Sequence, residues 1–293
     1  MRSEKEMFDL ILDTARDDDR IRAVYMNGSR TNPNAPRDIF QDYDIVYLVT
    51  ETNSFIQDKN WIDIFGERLI LQLPDELDKI AGKETHFESC YVYLMQFADG
   101  NRIDLSIRTL DSAMKDIKSD KLTVILLDKD GVLPEIPKPT DEDYHVKKPT
   151  QELFYRACNE FWWVILYIAK GLWRREIPYA MDCWNFWVRP QLVKMLSWYA
   201  GMLTGFSFSV GKSGKYLNRY LPDDIWRKFL QTYSNADIVS MWKSVFVMGE
   251  LFERTARSVA EEFGFSYDFE QSQRILSYLK HISKLPKDAK EII

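Results

Sequence analysis

The pattern of hydrophobic and polar positions changes character about half-way along the chain. In the N-terminal half, short runs rich in β-branched and aromatic residues are separated by glycine, proline, asparagine and aspartate, which is typical of strands joined by turns. The predicted strands are 21–26, 45–49, 69–73, 91–97 and 103–107, and the apolar run 123–127 is a candidate for a further strand. An amphipathic helix at 7–16 precedes them, and Asp99-Gly100-Asn101 predicts a hairpin turn between the fourth and fifth strands.

Beyond residue 150, apolar residues recur at helical spacing over long stretches. The predicted helices are 151–172, 179–202, 223–231, 236–262 and 272–285. Eight of the nine tryptophans lie in this half, and spacing predicts that Trp162, Trp163 and Trp173, or Trp184, Trp187 and Trp198, bury a helix face. The pattern therefore predicts an α+β protein, with a mixed or antiparallel sheet followed by an all-helical bundle.

Residues 134–149 separate the two patterns. This stretch contains four prolines and an acidic patch, which is typical of a semi-rigid connector. We therefore predict an N-terminal domain at 1–133, a proline-rich linker at 134–149 and a helical domain at 150–293.

Composition and charge exclude several classes of protein. At 293 residues with 45% hydrophobic and 29% charged residues, the chain is expected to fold into compact domains rather than a disordered or fibrous form. A net charge of -6 argues against nucleic-acid binding through a basic surface. The three cysteines lack the spacing of a disulfide framework or zinc site, and no apolar run is long enough to span a membrane. We therefore expect a cytoplasmic protein.

Three aspartates carry the most informative chemistry. Asp42 and Asp44 stand at the start of a predicted strand, where residues two apart point to the same side. Asp104 alternates with Ile103 and Leu105, so its carboxylate is expected on the polar face of a later strand. If the two strands are neighbours, the three carboxylates converge, and such hard oxygen ligands suit Mg²⁺.

Gly28, Ser29 and Arg30 follow the first predicted strand. Glycine lets the backbone approach a ligand closely, so that amide groups and the Ser29 hydroxyl can meet phosphate oxygens. Arg30 is predicted to add a charge-assisted contact to phosphate. These residues are therefore candidates for nucleotide binding.

The order Gly-Ser, then Asp-x-Asp at the head of a strand, then a lone aspartate on a later strand resembles the nucleotidyltransferase superfamily typified by DNA polymerase beta. Further segments resemble the aminoglycoside 6-adenylyltransferases, streptomycin-modifying enzymes of Gram-positive bacteria. The segments that carry this likeness are 27–30, 40–44, 99–105, 126–130, 159–162, 211–217 and 219–221, and the likeness runs from the first helix to at least Tyr267.

This resemblance implies an N-terminal nucleotidyltransferase domain with a mixed β-sheet and a C-terminal all-helical domain that binds substrate or nucleotide. The implied reaction transfers AMP from ATP to a streptomycin hydroxyl, at the 6-position, with release of pyrophosphate and resulting antibiotic resistance. Asp42 and Asp44 would bind magnesium, expected as two ions, and Asp104 would be a metal ligand, the base that takes the hydroxyl proton, or both. ATP and the aminoglycoside would meet in a cleft between the domains.

A lysine in the helical half is expected to contact the triphosphate. Lys215 is the first candidate and Lys212 the second, and the sequence leaves open which one meets phosphate. Gly211-Lys212-Ser213 is not a phosphate loop, because five residues separate Gly205 from Gly211 where that motif requires four.

A streptomycin-like acceptor carries two guanidinium groups, so its pocket is expected to offer carboxylates. Asp182 and Glu160 are the first candidates in the helical domain, and Glu84 and Glu88 come next. Two other interpretations remain open. One keeps the chemistry but changes the acceptor to another small molecule or a protein hydroxyl, and the other is a non-catalytic nucleotide-binding protein of the same fold.

Overall fold

The chain divides between Asp143 and Tyr144 into two units, a sheet unit before that point and a helical unit after it. The division follows from a computed structural model, which describes residues 1–292. The change from strand-like to helical pattern in the sequence corresponds to this change in architecture, so the predicted α+β fold is confirmed.

The sheet unit contains one six-stranded mixed sheet. Its strands are β1 (Ile21–Asn27), β2 (Tyr43–Val49), β3 (Arg68–Gln72), β4 (Cys90–Phe97), β5 (Arg102–Thr109) and β6 (Val124–Asp128). Their order across the sheet is β3-β4-β5-β2-β1-β6. Strands β2 and β5 are parallel and all other neighbours are antiparallel, so β2 stands between the first and fifth strands of the chain.

Helix α1 (Glu4–Asp17) packs on one face of this sheet and buries Met7, Ile11 and Ala15. A capping box between Ser3 and Glu6 fixes its start. The Tyr47 hydroxyl donates to the Ile11 carbonyl at 2.6 Å, which ties the helix to the middle of β2.

Four short helical segments of the sheet unit were not predicted, because each is too brief to show a helical period. They are α2 (Asn53–Gln57), a 3-10 turn at Trp61–Phe65, α3 (Pro74–Ile80) and α4 (Leu110–Asp116). Helix α4 covers part of the opposite sheet face, where Ala113 joins a small core with Tyr25 and Val46.

The helical unit is built from α5 (Gln151–Arg174), α6 (Ile177–Asp182), a π-helical segment (Cys183–Val188), α7 (Arg189–Thr204), α8 (Asp223–Gln231), α9 (Ile238–Phe263) and α10 (Phe269–Ile282), with 3-10 turns at Lys212–Gly214 and Leu217–Arg219. The helix predicted at 179–202 is thus interrupted by a π-helical turn, a feature that often marks functional sites. Along residues 1–292, no helix has the length and apolar character needed to cross a bilayer.

Aromatic and aliphatic side chains form the core of the helical unit. Phe161 of α5 stacks on Phe252 of α9 with ring centroids 3.7 Å apart. Cys158 and Cys183 are buried in the same core.

The tryptophan prediction was correct only in part. Trp162, Trp184 and Trp198 are buried, but Trp163 and Trp187 are 60% and 56% exposed. The prediction for these two was wrong, since on each helix they point away from the core face that their neighbours occupy.

Candidate active site

Three carboxylates meet at one end of the central strands of the sheet unit. Asp42 immediately precedes β2, Asp44 is the second residue of β2, and Asp104 lies directly beside Asp44 in the parallel register of β5. One ligand oxygen from each of the three lies within 4.8 Å of the others. The convergence predicted from the alternation of β5 and the Asp-x-Asp spacing is therefore present in the fold.

The turn after β1 brings backbone against this cluster. Asn27, the last residue of β1, pairs with Asp44, and Gly28 follows with a φ of +79°. A Cβ atom at Gly28 would lie 1.9 Å from the Asp44 Oδ2 atom, so the site requires glycine at this position. The turn is closed by Thr31, whose hydroxyl donates to the carbonyls of Gly28 and Leu122 at 2.8 and 2.9 Å.

Arg30 is buried and its guanidinium supports the backbone of the aspartate segment. Its Nη2 donates to the Gln41 carbonyl at 2.7 Å and its Nε to the Asp42 carbonyl at 3.1 Å. The Cζ atom lies 3.8 Å from the ring centroid of Tyr43, and Glu4 forms a 3.4 Å ion pair with Nη1. These contacts describe a residue that positions Asp42, and the phosphate contact expected of Arg30 stays a prediction.

Gln41 links the same segment to the turn after β1. Its side-chain amide donates to the Ser29 carbonyl at 3.3 Å and lies 3.5 Å from the Ser29 hydroxyl. Gly28 and Ser29 are both half-buried beside the acidic cluster. The predicted nucleotide-binding turn and the predicted acidic pair therefore form one connected structure.

Arg102 binds the third carboxylate. Its Nε and Nη2 atoms donate to the two oxygens of Asp104 at 2.7 Å each. Residues two apart on a strand share a face, so this pairing follows from the local geometry of β5. Arg102 was not assigned a role from sequence, although its spacing from Asp104 was visible there.

Asp44, the middle carboxylate, lies in a surrounding that disfavours its charged form. Burial, together with the negative charges of Asp42 and Asp104, raises the pKa of Asp44 to about 7. A carboxyl group in this situation resists ionisation unless a cation compensates its charge. The cluster is therefore a place where a bound cation would relieve repulsion.

Comparison with known proteins shows which family the chain is similar to. The model of the streptomycin adenylyltransferase family matches residues 1–282. The chain belongs to the streptomycin adenylyltransferase family. An aminoglycoside 6-adenylyltransferase from Campylobacter jejuni is 43% identical over 279 residues, which cover 95% of each chain. An aminoglycoside 6-adenylyltransferase from Bacillus subtilis (strain 168) is 41% identical over 268 residues, which cover 91% of this chain and 93% of the relative.

A solved structure is also similar to this member of the streptomycin adenylyltransferase family. It is the crystal structure of an aminoglycoside 6-adenyltransferase from Bacillus subtilis, with 35% sequence identity and a TM-score of 0.47. The likeness covers 97% of this chain and all of that one.

The acidic cluster of this family member fits a divalent cation by its donor chemistry. All three side chains offer carboxylate oxygens, which are the ligands that Mg²⁺ prefers, usually with one or two carboxylates and several other oxygens. The side chain of Asp104 is 20% exposed, and Asp42 and Asp44 are half-buried, so the cluster is open to solvent on one side. Asp42, Asp44 and Asp104 are thus the residues that would hold the ion.

Cation binding by this adenylyltransferase family member should depend on pH near neutrality. Because Asp44 has a pKa of about 7, its carboxylate must lose a proton before it can serve as a ligand. We expect Mn²⁺, used as a spectroscopic substitute for Mg²⁺, to bind about 10-fold more weakly at pH 6 than at pH 8. Electron paramagnetic resonance titration of free Mn²⁺ measures this, and equal affinity at the two pH values would contradict it.

The candidate lysines of the helical unit lie in one exposed loop. Lys212 begins the 3-10 turn Lys212–Gly214, and Lys215 follows it with its Nζ atom 5.0 Å from the Tyr216 ring centroid. Both lysines are exposed. The structure of this unit does not distinguish them, so the order of preference stays a prediction.

The candidate acceptor-binding acids of the helical unit lie apart from each other. Gly171 of α5 packs against Ala180 of α6, where an added Cβ would be 3.0 Å from the Ala180 Cβ. At a helical rise of 1.5 Å per residue, Glu160 lies about 16 Å along α5 from this contact, whereas Asp182 is only two residues from it. Asp182 is exposed and Glu160 is half-buried, so they do not form one acidic subsite.

Exposed aromatic residues accompany Asp182. The π-helical segment that follows it presents Phe186 and Trp187 with exposures of 71% and 56%. An exposed carboxylate beside aromatic side chains is the kind of surface that binds guanidinium groups. In the sheet unit, Glu84 and Glu88 are exposed in the segment before β4.

Proposed function

We propose that this protein transfers AMP from ATP to the 6-hydroxyl of streptomycin, with release of pyrophosphate. The observation that carries the proposal is the meeting of Asp42, Asp44 and Asp104 beside the Gly28 turn, in a chain of the streptomycin adenylyltransferase family. The names of the relatives, aminoglycoside 6-adenylyltransferases, support the acceptor class and the position modified. Antibiotic resistance would follow from this modification.

Mg²⁺, which we expect as two ions, would neutralise the triphosphate and stabilise charge on the entering and leaving oxygens. Asp42, Asp44 and Asp104 would hold the cation. Asp104 is proposed primarily as a ligand, because Arg102 already orients both of its oxygens.

The chain's other residues bind and orient the substrates. The Gly28-Ser29 turn is proposed to receive the phosphate groups through backbone amides and the Ser29 hydroxyl, since it adjoins Asp44 without a side chain in between. Arg30 holds the Gln41 and Asp42 carbonyls and so fixes the direction of the first carboxylate. Lys215, or Lys212, adds positive charge for the triphosphate.

The proposal is tested by incubating the protein with ATP, MgCl₂ and streptomycin and measuring the antibiotic by mass spectrometry. We expect streptomycin to gain one AMP unit and pyrophosphate to appear in equal amount. Tandem mass spectrometry and NMR of the product locate the modified hydroxyl. Streptomycin left unmodified, while another aminoglycoside in the same panel gains AMP, would refute the acceptor assignment and retain the chemistry.

Asp182 is proposed to bind a guanidinium group of the acceptor. The Asp182→Asn variant is expected to raise the KM for streptomycin about 10-fold or more, because it removes a charge-assisted hydrogen bond. The KM for ATP should change little, and steady-state kinetics with each substrate varied in turn measures both. Glu250→Gln, which neutralises an exposed acid on α9, is the matched control. Equal streptomycin KM values in the two variants would contradict the role of Asp182.

A further inference from the structure

Arg102 lies at the solvent side of the acidic cluster, as the first residue of β5. Its side chain is 45% exposed, whereas that of its partner Asp104 is 20% exposed. The guanidinium binds both Asp104 oxygens at 2.7 Å each. A positive charge that already occupies both oxygens of a carboxylate competes with any cation that this carboxylate would bind.

The charge of Arg102 acts on the whole cluster. Hydrogen bonding to Asp104 raises the pKa of Arg102, and the negative charges of the other two aspartates act in the same direction, against the effect of burial. Because the ligand oxygens lie within 4.8 Å of one another, a charge held at one carboxylate interacts with the others at short range. Arg102 is therefore a counter-ion of the cluster rather than of Asp104 alone.

Arg30, the other arginine beside the cluster, is engaged differently. It is buried, and its Nε and Nη2 atoms donate to the backbone carbonyls of Asp42 and Gln41. Its Nη1 atom forms a 3.4 Å ion pair with Glu4, which lies outside the cluster. The charge of Arg30 thus has its own partner, whereas Arg102 pairs with a residue that would itself bind the cation.

Arg108 shows what an ordinary ion pair on the same strand looks like. Its Nε donates to the Ser106 hydroxyl at 3.1 Å, and its Nη1 lies 3.6 Å from the Asp116 Oδ2 atom. Exposed pairs of this kind contribute little to stability. The pair of Arg102 differs because Asp104 is one of the three carboxylates whose ligand oxygens meet.

We propose that Arg102 is a built-in counter-ion of the acidic cluster, which stabilises the three carboxylates in the absence of metal and lowers their affinity for a divalent cation. The guanidinium and the cation compensate the same negative charge, so the presence of one weakens the binding of the other. That the cation serves AMP transfer rests on the function proposed above. Arg102 is on this view a residue that acts through the cluster, not one that contacts the reacting atoms.

The test measures Mn²⁺ binding to the full-length protein by electron paramagnetic resonance at pH 8 and 0.1 M salt. Arg102→Gln is expected to bind Mn²⁺ about 10-fold more tightly than wild type, because a nearby positive charge is removed. Arg102→Lys, which keeps the charge without the planar fork, should bind within about 3-fold of wild type. Arg108→Gln is the matched control and should bind as wild type does. Arg108 lies about 20 Å along the strand from Arg102, beyond the Debye length of about 10 Å.

Thermal unfolding gives a second readout that does not depend on activity. In EDTA, Arg102→Gln is expected to unfold at a lower temperature than Arg108→Gln, because the carboxylates lose their compensating charge. The same concentration of Mn²⁺ should then raise the unfolding temperature of Arg102→Gln by more than it raises that of wild type, since tighter binding stabilises the native state more. A purely structural ion pair would lower the unfolding temperature without tightening Mn²⁺ binding.

Mn²⁺ binding by Arg102→Gln that is equal to or weaker than binding by Arg108→Gln would overturn the proposal. The outcomes also separate the counter-ion role from the proposed reaction. If wild-type protein transfers AMP but Arg102→Gln gains no affinity for Mn²⁺, the counter-ion role fails and the reaction stands. If no acceptor gains AMP but Arg102→Gln binds Mn²⁺ more tightly, the counter-ion role stands and the reaction fails.

Discussion

Replacement of Asp42, Asp44 or Asp104 by asparagine is expected to lower the rate of AMP transfer by about 10³-fold or more. Each change removes one negative oxygen from a cluster whose ligand atoms lie within 4.8 Å of one another. An amide cannot supply the charge that a divalent cation requires, so both cation affinity and turnover should fall. Pyrophosphate release and streptomycin modification, measured together, report the loss.

The fold should survive these substitutions, and one variant is expected to be more stable than the wild type. The Asp44 pKa of about 7 lies above the ordinary value of a carboxyl group, so the folded state disfavours ionisation. This penalty develops as pH rises from about 4 to about 7 and is fully present above 7. Asp44→Asn removes the charge, and its thermal unfolding temperature at pH 8 without metal should therefore be higher than that of wild type.

Asp111→Asn is the matched control, because Asp111 is an exposed aspartate at the start of α4. It should retain wild-type turnover. Near-wild-type AMP transfer by any of the three cluster variants would contradict the assigned site. An Asp104→Asn variant that binds Mn²⁺ like wild type but loses turnover would instead identify Asp104 as the base.

The local part of this site could be predicted from sequence because strands impose a period of two. That period places Asp42 with Asp44, and it separates Asp104 from the buried Ile103 and Leu105, as the structure has them. The same rule places Arg102 on the face of Asp104, so the ion pair between these two residues could also have been predicted from the sequence.

The nonlocal part could not be predicted, because strand order is set by packing over the whole sheet. Residues 44 and 104 become neighbours only because β5 adds to β2 in parallel, across two intervening strands of the chain. The strand pattern alone did not show that these two strands are neighbours. The resemblance to known nucleotidyltransferases was what made it an expectation.

The surroundings of Arg30 and Arg189 likewise could not be predicted from the sequence. Arg30 follows a candidate phosphate-binding turn, yet its guanidinium turns back onto the carbonyls of Gln41 and Asp42. Arg189 lies within a predicted helix, where its lack of a carboxylate partner depends on which side chains other segments bring near it. The sequence shows which residues carry a charge, whereas the tertiary structure determines which of those charges have a partner of opposite sign.

Helical spacing likewise predicted only some of the side chains that form the core. Adjacent tryptophans such as Trp162 and Trp163 differ by about 100° around the helix, so both cannot face the same core. The structure buries Trp162 and exposes Trp163. The π-helical segment at Cys183–Val188 changes which side chains face the core. Trp187 is exposed there, five residues after Asp182, the proposed acceptor-binding acid.

Gly28→Ala is expected to reduce AMP transfer by about 10²-fold or more, although the residue contributes no functional group. Its φ of +79° costs an alanine about 1 to 2 kcal/mol, and its new Cβ would lie 1.9 Å from Asp44 Oδ2. Such an overlap forces either the carboxylate or the turn to move. The carboxylate oxygens proposed to bind the cation and the backbone amides proposed to bind phosphate would then no longer be correctly positioned relative to each other.

Gly82→Ala separates the two causes, because Gly82 has a φ of +73° but no atom within 4 Å of the position of an added Cβ. The Gly82→Ala variant should have a lower free energy of unfolding, because alanine is strained at this φ, and its rate of AMP transfer should equal that of the wild type. In an Asp44→Ala background the clashing carboxylate is gone and only the Cβ of residue 44 remains near, at 3.3 Å, so Gly28→Ala should cost much less stability than it does in the wild type and approach the cost of Gly82→Ala. If Gly28→Ala and Gly82→Ala retained equal turnover in the wild-type background, the close packing of the turn against Asp44 would be irrelevant to the reaction.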